Sequence, residues 1–243
     1  SSGKLWLFGG GGFDSSGTYN ILNDLWKYDP TSNEWTWVSG NNEGNQVGIY
    51  GTRGIAAPSN VPGGKYGAVS WFGTSGKLWL FGGASVYMPV NSSDLNDLWN
   101  YDPASNEWTW VSGSYEAEPP GSYGTQGIAA PSNVPGGRAS AASWIDSSGN
   151  LWLFGGYGYY SAGQNGFLND LWRYDPETNN WTWISGSNAG NQPDIYGTKG
   201  ISDPSNVPGA RNGAISWFDS SGRLWLFGGG SNNFHNDLWR YNR

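Results

Sequence analysis

The chain has 243 residues, among them 40 glycines, 17 tryptophans and 13 prolines but no cysteine. So many aromatic side chains exclude a disordered chain and indicate that the glycines and prolines are turn residues between packed strands, while the absence of cysteine excludes disulfides, thiolate metal sites and cysteine nucleophiles. The net charge is −7 with 12 scattered basic residues, which argues against a nucleic-acid partner, and no apolar run is long enough to insert into a membrane.

One apolar phrase organises the chain: Gly-x-Leu-Trp-Leu-Phe-Gly-Gly occurs four times, starting at Gly3, Gly76, Gly149 and Gly222. The copies are 73 residues apart each time, and a fixed period indicates a repeat protein whose units bury their faces against their neighbours. The Leu-Trp-Leu-Phe segment, here strand b, is apolar on both sides and is typical of a strand that is covered on both faces. We therefore expect the first leucine of every copy to be buried between neighbouring repeats: Leu5, Leu78, Leu151 and Leu224.

Strand b is followed by a connection that differs in every repeat and then by strand c, which reads Asp-Leu-Trp-x-Tyr. The b–c connections cover residues 11–22, 84–95, 157–168 and 230–235. The c strands cover residues 24–28, 97–101, 170–174 and 237–241. In the first three repeats an Asp-Pro-x-x-Asn turn leads to strand d, Trp-Thr-Trp followed by Val or Ile, at residues 35–38, 108–111 and 181–184. The alternation in strand d suits an outer, half-exposed strand.

A long d–a connection carries its own repeated phrases, Tyr-Gly-Thr and Pro-Ser-Asn-Val-Pro-Gly, and leads to strand a, predicted at 66–72, 139–145 and 212–218. Tight turns join a to b, so the four strands form an antiparallel meander with small residues on the inner strand and large aromatics outside, as a propeller blade requires. Positions that recur in every repeat must serve the structure. We expect the d–a connections to form a packed lid, the aspartate that opens strand c to bond backbone amides, and Arg138 and Arg211 to span neighbouring blades.

Together these residues resemble the kelch repeat: Gly-Gly closes strand b, Asn-Asp-Leu-Trp-x-Tyr forms strand c, Trp-Thr-Trp forms strand d, and Lys65, Arg138 or Arg211 opens strand a. The resemblance covers essentially the whole chain and implies an all-β fold, a kelch-type β-propeller of the galactose-oxidase-like kind with four-stranded antiparallel blades. The usual kelch period is about 50 residues. The surplus here lies in the d–a connection, as in the long-loop kelch proteins of bacterial surfaces. We treat 1–243 as a single propeller region with four blades, at about 1–38, 65–111, 138–184 and 211–243.

The strands run bcd, abcd, abcd and abc, so the first and last blades are incomplete. Unpaired strand edges invite aggregation. We therefore expect an arc of a larger ring, which either self-association or a longer parent chain completes.

The b–c connections are the best candidates for a binding surface because they do not repeat and hold aromatic residues among Asn, Ser and Gly. Loops on a rigid scaffold carry function, and tyrosine among small polar residues is the composition of adaptable recognition loops. Two acidic residues of the second d–a connection also break the repetition. The predicted ligand-binding residues are Tyr19, Tyr87, Met88, Tyr157, Tyr159, Tyr160, Phe234, Glu116 and Glu118. The alternative is that these aromatics lie on the blade edges as ordinary loop residues.

The sequence predicts no catalytic residue, metal site or cofactor. The single histidine, His235, has no nucleophile and base arranged around it in sequence, no Asp/Glu/His metal cluster is evident, and no motif favours a carboxylate pair among Glu43, Asp94, Glu116 and Asp194. We therefore expect a non-catalytic extracellular or cell-surface module that binds a protein or a glycan. The alternatives are a scaffold within a larger enzyme, whose catalytic residues lie elsewhere, and a building block of a surface layer or filament.

Overall fold

A computed structural model describes residues 3–87 and 90–241, and all regular structure in them is β-strand. The predicted all-β fold is therefore confirmed. The chain divides into two compact units, Ser1–Ala117 and Glu118–Arg243. None of the described residues belongs to a helix long and apolar enough to cross a bilayer.

The first unit contains two large sheets and one small one, all antiparallel. Sheet 1 has the order β1 (Leu5–Phe13), β2 (Tyr19–Asp29), β3 (Glu34–Ser39). The small sheet is formed by β4 (Lys65–Tyr66), β7 (Ala84–Tyr87) and β8 (Val90–Asp94). Sheet 2 runs, from its inner to its outer strand, β5 (Val69–Phe72), β6 (Leu78–Phe81), β9 (Leu98–Asp102), β10 (Glu107–Ser112).

The second unit contains sheets 3 and 4. In sheet 3 two short strands, β11 (Arg138–Ala139) and β12 (Ala142–Ile145), both pair with β13 (Leu151–Tyr159), which is followed by β14 (Asn165–Asp175) and β15 (Asn180–Ser185). Sheet 4 has the order β16 (Ile215–Phe218), β17 (Leu224–Phe227), β18 (Leu238–Tyr241). The sheets thus have the predicted a-b-c-d strand order.

Strand a is not continuous, contrary to the prediction. Ser140 adopts a φ of 56° and divides β11 from β12, and Gly67 and Gly213 adopt φ values of 64° and 63° at the corresponding positions. A left-handed residue cannot continue a pleated strand, so the inner strand forms two short segments.

Two aromatic cores stabilise the units. In the first, Leu78, Leu80 and Trp108 of sheet 2 pack against Trp6 and Phe8 of sheet 1. In the second, Trp144, Trp152 and Phe154 of sheet 3 pack against Leu224 and Leu226 of sheet 4. Burying such side chains is worth about 1.5–3 kcal/mol each, so these interfaces are a main source of stability.

The expected burial of the first leucine of strand b is correct for three repeats and wrong for one. Leu78, Leu151 and Leu224 are buried, whereas Leu5 is 59% exposed. Among the described residues of its unit, no sheet lies over that face of sheet 1.

Candidate functional site

A buried ion pair lies at the base of each b–c connection from the second repeat onward. In sheet 3 the guanidinium of Arg138 donates from Nη1 to Asp170 Oδ1 (2.6 Å) and from Nη2 to Asp170 Oδ2 (2.7 Å), and both side chains are almost fully buried. The same guanidinium donates to the backbone carbonyls of Gly136 and Gly155. Bidentate charge-assisted pairs of this kind are strong and fix geometry.

The same pair recurs as Lys65–Asp97 and Arg211–Asp237, with shortest distances of 2.7 and 2.6 Å. These contacts correct two expectations. Asp97, Asp170 and Asp237 bind cationic side chains rather than backbone amides, and each cation pairs with the strand c aspartate of its own repeat. Strand a and strand c both begin at the same end of the blade, on either side of strand b. The cation that opens strand a and the aspartate that opens strand c therefore meet across strand b.

Two aromatic donors complete each site. Trp172 Nε1 and Tyr123 Oη both donate to Asp170 Oδ2 at 2.7 Å. Burial, followed by the nearby Asp170 carboxylate, raises the pKa of Tyr123 far above its usual range, so the phenol stays a neutral donor. Tyr50 does the same for Asp97 at 2.8 Å. These two tyrosines thus have a structural role, but the d–a connections as a whole do not form the expected packed lid, because much of their length is exposed, including Ile55 and Ile128.

Three b–c connections contain paired β-strands rather than the predicted loops, and the fourth, residues 230–235, holds an isolated bridge between Gly230 and Phe234. β1 and β2 remain paired as far as Phe13 and Tyr19, and β13 and β14 as far as Tyr159 and Asn165. Each ladder crosses a β-bulge at the Gly-Gly that closes strand b. Gly155 shows why glycine is needed there: its φ is +64°, and a Cβ atom would lie 2.6 Å from the carbonyl oxygen of Arg211.

Asparagines of the d–a connections hold two of these hairpins from the side. Asn191 donates its backbone N–H to the carbonyl of Phe167 (2.7 Å), and its Oδ1 accepts the N–H of Phe167 (3.0 Å). Asn45 makes the same pair of bonds with Ile21, at 2.7 and 3.1 Å. Both asparagines have a left-handed φ, of 58° and 56°. The hairpin of sheet 3 is therefore fixed both by the ion pair at its base and along one edge, whereas that of sheet 1 is held along its edge by Asn45.

The hairpin of sheet 1 presents an exposed aromatic pair. Tyr19, a predicted site residue, is 64% exposed and meets the exposed Phe13 edge to face, with ring centroids 5.6 Å apart. On the hairpin of sheet 3, Tyr157 meets Phe167 in the same way at 5.2 Å. Both rings of each pair come from directly opposed positions of the ladder.

The other predicted aromatics are placed less uniformly. Tyr159 and Tyr160 are half-buried, and Tyr160 donates its hydroxyl to Gln164 while its ring covers Gly190. Phe234 lies in the short connection of sheet 4 and is 97% exposed. Tyr87 belongs to β7, and its side chain is outside the described part of the structure, as is the whole of Met88.

The two predicted acidic residues are both exposed. The backbone N–H of Glu116 donates to Ser114 Oγ at 2.9 Å in the local turn. Glu118 has a φ of 59° and occupies the repeat position of Asn45 and Asn191. A carboxylate therefore replaces the supporting amide in the second repeat.

Sequence reasoning missed a cluster in the last repeat. Arg211 pairs with both Asp194 and Asp237, and His235 Nδ1 lies 3.5 Å from Asp194 Oδ2. Ligand atoms of the two aspartates and the histidine lie within 4.8 Å of one another. A comparison of the repeats could have found this cluster, because Asp194 occupies the position of Gly48 and Gly121, and His235 occupies a position that is leucine in the other repeats.

This cluster corrects the expectation that the chain lacks an Asp/His group of metal-binding composition. Its donors are, however, already used by protein partners. Asp237 accepts from Arg211, from Trp239 Nε1 (2.6 Å) and from Tyr196 Oη (3.0 Å). Although burial opposes the shift, these hydrogen bonds hold the pKa of Asp237 below its usual range. The arrangement suits an ion-pair network better than a cation site.

Two cavities of the second unit lie at the opposite end of the sheets from the hairpins. The larger, of about 490 Å³, is lined by the a–b turns at residues 145–147 and 218–222. The smaller, of about 10 Å³, lies between Trp152, Leu224 and Tyr241. The hairpin aromatics thus form projecting edges and do not line either cavity.

Comparison with known proteins agrees with this geometry. The family model of the KLHDC2/KLHL20/DRC7 Kelch-repeats domain matches residues 1–194 and again 53–243. The solved structure of YjhT is similar to 98% of this chain and 78% of its own, with a TM-score of 0.52 and 16% identity, a likeness that shows the fold alone. No curated protein sequence matches the chain. The matched residues span the whole chain, which therefore belongs to the kelch-repeat family.

Proposed function

We propose that this chain is a non-catalytic binding module at the cell surface, and that its b–c hairpins contact a protein ligand. A kelch-repeat propeller indicates a protein-binding or scaffold module. The observation that carries the finer proposal is the contrast within each repeat. From the second repeat onward the base of the b–c connection holds the same kind of ion pair, whereas the aromatic residues along the connection differ.

The aromatic pairs on the hairpins, in which Phe13, Tyr19 and Tyr157 are exposed and Phe167 is half-buried, have suitable chemistry for protein recognition. Phe13 with Tyr19, and Tyr157 with Phe167, offer large apolar area at a low cost in conformational entropy, and the tyrosine hydroxyls add polar contacts. Because the sheet 3 hairpin is anchored at Asp170 and Asn191, and the sheet 1 hairpin at Asn45, little ordering is needed on binding. Projecting edges of this kind fit the surface of a macromolecule better than a small molecule.

The proposal of a non-catalytic role rests on how the charged residues near the hairpins are used. Asp97, Asp170 and Asp237 are held by cations and indole N–H groups, so they serve the scaffold. An extracellular location is proposed from the resemblance of the long d–a connections to those of secreted bacterial kelch proteins.

Site-specific photocrosslinking tests the hairpin surface. Benzoylphenylalanine replaces Tyr19 or Tyr157 in the protein expressed in its source cells, and matched controls carry it at Ser32 or Thr178, in exposed c–d turns at the other end of the sheets. We expect discrete crosslinked protein products from the hairpin positions and none from the turns. Equal labelling from both ends would overturn the proposal.

A glycan array distinguishes the other class of ligand. Wild-type protein is compared with Tyr19→Ala and Tyr157→Ala, which remove exposed rings. Glycan binding that both substitutions weaken would replace the protein ligand with a carbohydrate while keeping the hairpin site. Glycan binding that neither changes would contradict a hairpin site for carbohydrate.

A further inference from the structure

Sheet 1 leaves one apolar face uncovered, here the leading face, formed by Leu5, Leu7, Trp35 and Trp37. The ladder pairs Leu5 and Leu7 with Tyr28 and Trp26, which in turn oppose Trp35 and Trp37, so these side chains share one side of the sheet. Leu7 is 53% and Trp35 54% exposed. Contiguous apolar surface of this kind marks an interaction site.

The second repeat shows what covers the equivalent residues of sheet 2. One period later, Leu80 and Trp108 are only 3% and 2% exposed. They are buried by Trp6, Phe8 and Leu25, which lie on the opposite side of sheet 1. Trp6 meets Tyr101 at 5.9 Å and Phe8 meets Trp108 at 5.7 Å. The natural cover for a leading face is therefore the opposite face of another kelch sheet.

Sheet 4 offers such a face, here the trailing face, formed by Ile215, Trp217, Phe227 and Leu238. The strand register aligns Ile215, Phe227 and Leu238 across the sheet, and Trp217 stacks on Trp225. Phe227 is 41% and Trp217 40% exposed.

The third repeat again provides the buried counterpart. Phe154 and Trp144 occupy the same positions in sheet 3 and are 5% and 7% exposed. They are covered by Leu224 and Leu226, the leading face of sheet 4. Trp152 meets Tyr241 at 5.9 Å, the same ring contact as between Trp6 and Tyr101 in the first unit. Both units thus use one kind of trailing-to-leading contact.

We infer that two copies of this chain associate head to tail, the trailing face of sheet 4 in one copy covering the leading face of sheet 1 in the next. The two uncovered faces are the two complementary halves of a contact that the chain already makes twice. The association is heterologous because the two faces differ, so each copy has one face of each kind to offer. This inference does not depend on the ligand proposed above.

Sedimentation velocity over a wide range of protein concentration tests the association. Wild-type protein should sediment as a species larger than 26.3 kDa at high concentration. Leu7→Arg blocks the leading face and Phe227→Arg blocks the trailing face, and each alone should remain monomeric. Phe234→Arg, at an exposed aromatic outside both faces, is the matched control and should associate like wild type.

Mixing the two blocked variants gives the decisive result. Each retains one intact face, so an equimolar mixture should form a dimer of one copy each and nothing larger. A wild type that is monomeric at every concentration, a mixture that stays monomeric, or a dimer lost in only one of the two variants would overturn the inference. Trp35→Arg and Ile215→Arg form a second pair at exposed positions, and circular dichroism checks that all variants fold.

Discussion

The aspartate that opens strand c collects polar contacts from three different segments of the chain. Asp170 accepts from Arg138 of strand a, Trp172 of strand c and Tyr123 of the preceding d–a connection. A buried carboxylate is costly unless its charge is compensated and its lone pairs are used, and this one meets both conditions. The sequence separation of 32 residues between Arg138 and Asp170 explains why the pair was not predicted.

Replacing Arg138 with methionine should lower the free energy of unfolding by about 3–5 kcal/mol, because Asp170 would be left as an uncompensated buried charge. Arg138→Lys is the matched control, since Lys65 already fills this position in the second repeat. It keeps the charge but loses the bonds to Gly136 and Gly155, at a cost of about 1–2 kcal/mol. Urea denaturation measures both, and equal losses would contradict the assigned role of charge.

The lowered pKa of Asp237 predicts a pH dependence. Its carboxyl has a pKa below the value of about 3.9 expected in the unfolded chain, so on acidification the unfolded state binds the proton first. The stabilisation is complete above about pH 4 and is lost as the pH falls further. In urea denaturation, the difference in unfolding free energy between wild type and Asp237→Asn should therefore shrink between pH 5 and pH 3. A difference that grows over that interval would contradict this sign.

At the scale of the element, the hairpins are the part of the strands that the sequence pattern did not predict. Strands b, c and d could be predicted because their apolar patterns recur in every repeat. The hairpin extensions could not, because segments such as Gly10–Gly12 have little β propensity. Their pairing is set instead by the ladder below and by asparagine bonds from 24 residues away, at Asn45 and Asn191.

Replacing Asn191 with glycine tests this support. Glycine keeps the left-handed φ but removes the acceptor for the N–H of Phe167. Hydrogen exchange should therefore become faster at Phe167, while the amides of β12 keep their protection. Gln164→Gly, at an exposed position on the same hairpin, is the control. Unchanged exchange at Phe167 would mean that the hairpin holds its geometry without the asparagine.

At the scale of the whole molecule, internal repetition separates structural positions from the proposed binding surface. The strand order of the sheets and the burial of Leu78, Leu151 and Leu224 could be predicted from the 73-residue period. The exposure of Leu5 could not be predicted from the period. The period assigns Leu5 the buried environment of the equivalent leucines, but that environment requires a neighbouring sheet over the same face. The Asp194–His235 cluster escaped prediction for a related reason, since it depends on two departures from the period that meet only in space.

The most direct test of this account compares one repeated position with one variable position in the first unit. Trp79 recurs in every strand b and is buried, whereas Tyr19 belongs to one hairpin and is exposed. In urea denaturation, Trp79→Ala should lose about 3–5 kcal/mol of unfolding free energy, and Tyr19→Ala should stay within about 0.5 kcal/mol of wild type. A Tyr19→Ala protein as unstable as Trp79→Ala would show that the hairpins belong to the core, and the separation between repeated structure and variable binding surface would be wrong.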